Sequence, residues 1–258
     1  MLSGPEFPLG VPSNNGVVQS LWVGERLTTM ERLAIASFVH WGHEYHLYAY
    51  NPVEGVPPGA EVRDAREILP ADSVFTYQTG FGAGSYSAFS NRFRYKLLLE
   101  RGGWWVDTDV VCLRPFFGLP PVVLTTEHDS PVSTGFKVAS AVMRMPAGNP
   151  LMQWAWNECL RHDPATLVWG QTGPQLLQRG VHELELQRFL RPASFTSNVP
   201  YWEWRAFVDP LPPLLPVTET YGAHLFHQMW IDGGADPDAE FPPTCLYETW
   251  KQLFLGNT

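Results

Sequence analysis

Residues 90–113, SNRFRYKLLLERGGWWVDTDVVCL, constrain the fold of this chain more than any other stretch. A helical pattern runs into the glycine pair Gly102-Gly103, and a short apolar run then ends at two aspartates, Asp107 and Asp109, before a second apolar run begins. Two carboxylates between buried segments are costly unless they are hydrogen-bonded or bound to a metal. We predict a helix over residues 90–101 and strands over residues 104–106 and 110–113.

The spacing of the aspartates favours a metal site over a solvated turn. In an extended segment, Asp107 and Asp109 would point to the same side, because side chains alternate along a strand. Carboxylate oxygens are the ligands preferred by Mg²⁺ and Mn²⁺, and the end of a strand at the carboxyl edge of an open α/β sheet is where ligands bind. A metal held there would neutralise a diphosphate.

The rest of the chain predicts an α/β fold with a mostly parallel, nucleotide-binding sheet, flanking helices and an irregular C-terminal half. The chain opens with a strand at residues 17–23, a helix capped by Thr28 or Thr29 that runs to about residue 41, and a strand at residues 45–50. The other predicted strands are 122–126, 136–145, 186–190 and 221–230, and the other predicted helices are 64–69, 149–160 and 174–178. We expect one domain over residues 16–258 after an irregular lead-in at residues 1–15.

The composition excludes several classes of protein. Of 258 residues, 45% are hydrophobic and 17% charged, which suits a large buried core rather than a disordered chain. The net charge of −9 argues against nucleic acid as a partner, since phosphate binding needs a basic surface. Three widely spaced cysteines favour reduced thiols in a cytoplasmic protein. No apolar run of membrane-spanning length is present, and the N-terminus does not have the pattern of a signal peptide.

The pattern S-N-x-x-R-Y-x-x-L-x-x-x-G-G-W-W-V-D-T-D-V in the central stretch resembles the signature of the DXD-containing glycosyltransferases. It is most similar to glycosyltransferase family 32, which includes initiating α-mannosyltransferases, globotriaosylceramide synthase-like α-galactosyltransferases and bacterial polysaccharide enzymes. The family pattern is roughly S-D-x-x-R-Y, then L, then G-G-x-Y-x-D-x-D. Three further segments agree with it: the opening L-W-V-G at residues 21–24, the T-G-P turn at residues 172–174, and H-L-F-H-Q-M-W at residues 224–230.

The resemblance implies a retaining, metal-dependent glycosyltransferase with a GT-A-like fold. It implies that Asp109 ligates Mn²⁺ or Mg²⁺ directly, that Asp107 does so directly or through water, and that His224 is the third protein ligand, with His227 as the alternative. The donor would be a UDP- or GDP-sugar, and the acceptor a glycan or glycolipid. Such an enzyme would act in the cytoplasm, at the inner face of the membrane.

The resemblance also assigns residues that contact the donor. Trp22 and Gly24 would contact the nucleotide base and ribose, and Arg94 would hold the donor sugar or phosphate. Asn91, one helical turn before Arg94, stands where the family usually has Asp, which removes a negative charge from the donor pocket. Gln171 is a candidate catalytic group near the β face of the sugar.

Other side chains have two interpretations each. Glu127 could also lie near the β face, although a structural role is favoured for it as for Gln171. His128 and Asp129 could line an acceptor cleft or a solvated loop. Trp202 and Trp204 could stack on an acceptor sugar, although packing is the commoner role of tryptophan.

Two other functions fit part of the pattern. The segment W-W-V-D-T-D-V-V also fits the strand end of haloacid-dehalogenase-type phosphatases, with Asp107 as the nucleophile. That strand normally lies near the N-terminus, whereas about 100 residues precede it here. A non-catalytic module that binds nucleotide-sugars or carbohydrate is the second alternative, and Asn91 favours it.

Overall fold

The structure is a computed structural model that describes residues 16–133, 135–210 and 220–256, so the predicted lead-in at residues 1–15 lies outside the described residues. The strands are β1 (Val18–Trp22), β2 (Tyr45–Ala49), β3 (Ala60–Asp64), β4 (Gly103–Val106), β5 (Val110–Cys112), β6 (Val123–His128), β7 (Phe136–Met145), β8 (Leu190–Arg191) and β9 (Gly222–His224). The α-helices are α1 (Thr29–His40), α2 (Ser87–Arg101), α3 (Pro150–Leu160), α4 (Pro174–Glu183), α5 (His227–Asp232) and α6 (Leu246–Phe254).

Seven of these strands form one sheet in the order β3-β2-β1-β4-β7-β6-β8. Every neighbouring pair is parallel except the two pairs that involve β7, so β7 alone runs against the others. The short strands β5 and β9 pair separately as an antiparallel ribbon. A mostly parallel sheet with flanking helices and many 3₁₀ turns after α4 confirms the predicted α/β fold class.

Strand β4 lies in the middle of the sheet and is buried on both faces. Trp105 packs in the cluster formed with α2, α3 and α4, whereas Trp104 and Val106 pack in the cluster formed with α1. Successive side chains of a strand point to opposite faces, so an unbroken apolar run is what a central strand requires. The carboxyl end of β4 therefore emerges between two packed layers.

Two glycines allow α2 to turn directly into β4. Gly102 has φ 65° and Gly103 has φ 91°, both in the left-handed region where only glycine is relaxed. A Cβ on Gly102 would also lie 2.6 Å from the backbone nitrogen of Ala147. The predicted helix end at residue 101 is confirmed, and the strand begins at Gly103, one residue earlier than predicted.

A capping box begins α1. The Thr28 hydroxyl accepts from the N–H of Met30, and the Glu31 carboxylate accepts from the N–H of Thr28 at 2.8 Å. Of the two predicted caps, Thr28 is the one observed. Glu31 itself is fully buried.

Three local predictions differ from the structure. The helix predicted at residues 64–69 is only a 3₁₀ turn, Ala65–Glu67, which follows the edge strand β3. Residues 187–189 form another 3₁₀ turn rather than a strand. The strand predicted over residues 221–230 ends at His224, because Phe226 adopts the left-handed conformation (φ 58°, ψ 58°) and α5 begins after it. No described helix has the length and apolarity needed to cross a membrane.

His43 packs against aromatic rings, as expected for a structural histidine. Its ring lies 4.4 Å from Phe117 and 5.7 Å from Phe116 between centroids, and Nε2 accepts from the N–H of Phe116 at 3.0 Å. Burial lowers the pKa of His43 to about 4. Protonation would add a buried charge and remove the acceptor for the Phe116 N–H.

We predict that His43→Gln flattens the pH dependence of stability. The unfolded chain takes up this proton near pH 6.5 and the folded chain only near pH 4, so the contribution of His43 is complete above pH 6.5 and is lost as the pH falls through this window. Allowing for solvent screening, we expect a loss of about 2 kcal/mol for the wild type between pH 7.5 and pH 4.5 that the variant does not show. Urea unfolding at both pH values measures it.

The exposed His182 provides the control. The His182→Gln variant should keep the wild-type pH dependence. Equal pH dependence in wild type and His43→Gln would contradict the assignment.

Candidate active site

The D-T-D segment forms a tight turn at the carboxyl edge of the sheet. The N–H of Asp107 donates to the carbonyl of Ala141 in β7 at 2.8 Å, and the N–H of Val110 donates back to the carbonyl of Asp107 at 3.1 Å. The segment is thus a turn and not extended, so the alternation of side chains along a strand does not place the two carboxylates. The turn nevertheless brings the two carboxylates together, because the hydrogen bond that closes it encloses only Thr108 and Asp109.

His224 joins the two aspartates through the β5–β9 ribbon. In that pairing His224 lies opposite Val110, the residue directly after Asp109. Its Nε2 lies 3.4 Å from Asp109 Oδ1. One ligand atom from each of Asp107, Asp109 and His224 falls within 4.8 Å of the others, so the three residues predicted as metal ligands do form a cluster.

Asp109 is the more strongly stabilised anion of the pair. Its Oδ2 accepts from the N–H of His227 at 2.9 Å, and its own carbonyl accepts from the N–H of Leu225 at 2.9 Å. Burial alone would raise the pKa of Asp109. Attraction and hydrogen bonding to His224, together with the His227 N–H, outweigh burial and hold this pKa well below its usual range.

Asp107 is held by two donors on one oxygen. Arg94 lies 3.0 Å from Oδ1, and the indole N–H of Trp105 donates to Oδ1 at 2.7 Å. Burial raises the pKa of Asp107, and the charge of Arg94 opposes that effect. Because both donors use Oδ1, Oδ2 is left for a ligand on the open side of the turn.

Arg94 lies beneath Asp107 and is 2% exposed. Its guanidinium donates to the carbonyl of Ser140 at 2.5 Å and to the carbonyl and hydroxyl of Ser90 at 3.3 and 3.0 Å, and it stacks 4.7 Å from the Trp105 ring. This arrangement makes Arg94 an anchor for Asp107. The predicted contact of Arg94 with the donor stays a prediction.

A second ion pair supports the site from α1. His227 Nδ1 lies 2.8 Å from Oε1 of the buried Glu31, which also closes the capping box of α1 through its other oxygen. Burial lowers the pKa of His227, but the hydrogen bond and charge of Glu31 outweigh it and raise that pKa overall. The sequence does not reveal this role of Glu31, because its spacing from Thr28 already accounts for an acid at the start of the helix.

The structure places the other predicted donor residues around the same edge. Trp22 ends β1, and its indole nitrogen is buried with no hydrogen-bond partner among the described residues. A Cβ on Gly24 would lie 3.0 Å from that nitrogen, so glycine keeps this corner open. The indole N–H thus has unused donor capacity at this corner.

Asn91 and the T-G-P turn pack against each other. A Cβ on Gly173 would lie 3.0 Å from Asn91 Nδ2, and the Tyr95 hydroxyl donates to the carbonyl of Thr172 at 2.9 Å. Gln171 instead bonds within its own loop, to His162 Nδ1 and the N–H of Val168, each at 3.2 Å. Its described contacts do not include the aspartates.

The residues of the cluster fit a divalent ion. Ligands on opposite sides of Mg²⁺ lie about 4.2 Å apart, so atoms within 4.8 Å need only small shifts to share an ion. Two carboxylates and an imidazole suit Mn²⁺ as well as Mg²⁺. The Nδ1 atom of His224 is buried and has no partner in the described part of the chain, so this imidazole has hydrogen-bonding or coordinating capacity to spare.

Comparison with known proteins agrees with this geometry. Residues 56–129 match the family model described as "Glycosyltransferase sugar-binding region containing DXD motif". The matched segment, less than a third of the chain, contains α2, both aspartates and β6, and it supports a DXD-containing glycosyltransferase. Among solved structures, the chain is similar to "PaToxG Glycosyltransferase", with a TM-score of 0.48 and 12% identity over 66% of this chain and 69% of that chain.

We predict that Arg94→Lys destabilises the fold by about 2–4 kcal/mol. A lysine cannot reach Ser90, Ser140 and Asp107 together, so buried acceptors and a buried carboxylate lose their donors. Urea unfolding at pH 7.5 measures the change. The matched change Arg66→Lys, in an exposed pair with Asp64, should cost less than about 0.5 kcal/mol, and equal costs would contradict the role given to Arg94.

We predict that Asp109→Asn weakens Mn²⁺ binding by about 100-fold or more, because an amide keeps the acceptor for the His227 N–H but removes the charge from the cluster. Titration calorimetry with MnCl₂ measures the affinity, and circular dichroism checks the fold. Asp72→Asn, which changes an exposed acid far along the chain, serves as the control. Unchanged Mn²⁺ affinity in Asp109→Asn would show that any ion binds elsewhere.

Proposed function

We propose that this protein is a metal-dependent, retaining glycosyltransferase that moves a sugar from a UDP- or GDP-sugar to a glycan or glycolipid. The observation that carries the proposal is the cluster of Asp107, Asp109 and His224 at the carboxyl edge of the sheet, because its two aspartates lie in the segment that matches the DXD family model. The resemblance to family 32 is the basis for proposing that the anomeric configuration is retained.

The cluster would hold the metal next to the donor diphosphate. Asp109 and His224 would ligate Mn²⁺ or Mg²⁺ directly, and Asp107 would do so through Oδ2 or through a water molecule. When bound, the ion supplies electrophilic stabilisation of the negative charge that develops on the leaving diphosphate. Arg94 and Trp105 fix the Asp107 carboxylate, so its geometry does not have to reorganise during transfer.

The remaining donor contacts come from the neighbouring strand ends. The free indole N–H of Trp22 and the open corner at Gly24 are suited to the base and ribose of the nucleotide. Asn91, against the T-G-P turn, would face the sugar as a neutral group, and Gln171 is kept as the candidate group on its β face. The three buried, unpaired cysteines support the further proposal of a cytoplasmic enzyme at the inner face of the membrane.

Transfer exchanges one bond for another. The bond between the anomeric carbon and the diphosphate oxygen breaks with its electron pair staying on the diphosphate. The acceptor oxygen bonds to the anomeric carbon, and its hydroxyl proton is released. Retention follows either from attack on the face of the leaving group or from a covalent intermediate, and both routes pass through an oxocarbenium-like state.

We predict that the wild-type protein releases nucleoside diphosphate from a UDP- or GDP-sugar when Mn²⁺ is present, with water as the acceptor. Chelation of the metal should abolish the release. Asp109→Asn should lower the rate by about 100-fold or more, because the charge on the leaving group is no longer compensated. Chromatography of the nucleotides over time measures the rate.

The alternatives give other results in the same experiment. Hydrolysis of p-nitrophenyl phosphate that is lost in Asp107→Asn would identify a phosphatase and refute the proposal. Metal-dependent binding of UDP or GDP without release of diphosphate from any nucleotide-sugar would identify a binding module. Asp72→Asn again serves as the control for a change of charge.

A further inference from the structure

The hairpin of β6 and β7 extends beyond the metal cluster on one side of the site. Asp107 bonds to Ala141 of β7, whereas the pairing of β6 with β7 continues for several more residues, to Glu127 opposite Lys137 and His128 opposite Phe136. Strands β4 and β6 run in the same direction, so both present their carboxyl ends at this edge. The hairpin tip therefore stands beside the space above the cluster.

Glu127 at this tip is a buried acid that the donor site does not use. It is 8% exposed, and Lys137 Nζ lies 3.4 Å from its Oε1. Burial raises the pKa of Glu127 although Lys137 opposes this effect, and the carboxylate lies close enough to His224 and Asp107 to interact with their charges. Because Lys137 is the one cation in the described part of the chain that pairs with Glu127 and lies 3.4 Å from only one of its oxygens, the carboxylate can accept further hydrogen bonds.

Aromatic rings connect the metal cluster to the hairpin tip. The Phe226 ring lies 4.0 Å from the His224 ring and 6.3 Å from the ring of Tyr201. Tyr201 lies 4.8 Å from Trp202, and Lys137 sits 5.2 Å over the Tyr201 ring. The run of rings is therefore continuous from a candidate metal ligand to the ion pair of Glu127.

The outer part of this run is open to solvent. Trp202 lies 6.1 Å from His128, which lies 5.2 Å from Phe136, and Phe136 is 56% exposed. Tyr201 and Trp202 begin the 3₁₀ helix Tyr201–Phe207 and are half-buried. Trp204 and Phe207 of the same helix pack in the core and hold it in place. Of the two tryptophans considered for stacking, Trp204 is thus a core residue that packs on Trp230.

We propose that the acceptor surface, defined as His128, Phe136, Tyr201 and Trp202 with the Glu127–Lys137 pair, binds the acceptor as a neutral sugar ring. This inference rests on the proposed function. The C–H face of a pyranose is apolar and its rim carries hydroxyls, so flat rings beside a carboxylate and an ammonium match both parts. Glu127 accepts from one hydroxyl of that ring.

The charge of the surface argues against other occupants. An anionic acceptor would be repelled by Glu127 and by the net charge of −9. An acyl chain would bury a carboxylate and an ammonium without replacing their contacts with water. A neutral polyhydroxyl ring can replace those contacts, because hydroxyl groups both donate and accept.

We test the acceptor surface with methyl α- and β-glycosides of galactose, glucose and mannose. Each is added to the full chain saturated with UDP and Mn²⁺, and binding is read by saturation-transfer NMR. At least one glycoside should bind the wild type. Trp202→Leu should reduce its signal at least fivefold, Trp202→Phe should restore part of it, and Glu127→Gln should weaken the affinity by about tenfold or more, since a hydrogen bond to a charge is lost.

Two control variants change the same residue types elsewhere. Trp156, half-buried on α3 under Lys96, and Glu158, paired with Arg179, lie outside the acceptor surface. Trp156→Leu and Glu158→Gln should bind the glycoside like the wild type. A glycoside signal that Trp202→Leu leaves unchanged, or that Trp156→Leu reduces equally, would overturn the proposal.

Release of diphosphate from the nucleotide-sugar is measured in the same samples. If the wild type releases diphosphate and yet binds no methyl glycoside, or transfers sugar only to protein or to lipid vesicles, the acceptor surface is wrong while the proposed function stands. If the glycoside binds through Trp202 and Glu127 but no diphosphate is released from any donor, the proposed function is wrong and the surface is a carbohydrate site.

Discussion

Two carboxylates that directly follow the buried central strand β4 must be compensated, and much of the architecture supplies that compensation. Asp107 forms an ion pair with Arg94 of α2 and accepts a hydrogen bond from the indole of Trp105 in β4. Asp109 lies beside the imidazole of His224 at the end of β9 and accepts a hydrogen bond from the backbone N–H of His227 in α5. These donors come from elements more than 100 residues apart in the sequence. Since an unpaired buried carboxylate is far more costly than a typical packing defect, the pairing ties the C-terminal segment to the sheet. A divalent ion would complete the same compensation rather than add an unrelated function.

The segment from His224 to His227 serves three contacts at once. His224 turns toward the aspartates, Phe226 toward Tyr201, and His227 toward Glu31 at the start of α1. Three different directions within four residues require a sharp bend, and Phe226 provides it in the left-handed conformation. That conformation costs a non-glycine residue about 1–2 kcal/mol. The hydrogen bonds that Leu225 and His227 give to Asp109 offset the cost, so the strain is placed where it shapes the site.

Local sequence patterns were sufficient to predict the helices and strands that surround the aspartates. They were not sufficient to predict the side-chain contacts between those elements. The apolar run of β4, the glycines that end α2 and the threonine that caps α1 each reflect a requirement within a few residues. The sequence predicted the first two, and for the cap it offered Thr28 and Thr29, of which Thr28 is the one observed. The bend at Phe226 does not reflect a local requirement of this kind, because no glycine or proline marks it in the sequence. The burial of Arg94 against Asp107, and of Glu31 against His227, depends on packing between distant elements. Residue types and spacing do not reveal such contacts, so the resemblance named the candidate metal ligands, whereas only the structure gave the residues that support them.

The division of the site into two sides follows from the order of the strands. Strand β1 carries Trp22 on one side of β4, and the β6–β7 hairpin carries Glu127 and Lys137 on the other. The turn of residues 107–109 therefore lies between the corner at Trp22, which we propose for the nucleotide, and the half-exposed rings of the hairpin side, which we propose for the acceptor. Because β7 alone runs against the sheet, its hairpin with β6 can rise past the strand ends, which the neighbouring parallel strands cannot do without a long crossover. The single reversed strand thus places the ring-lined hairpin next to the cluster of Asp107, Asp109 and His224, on the side away from Trp22.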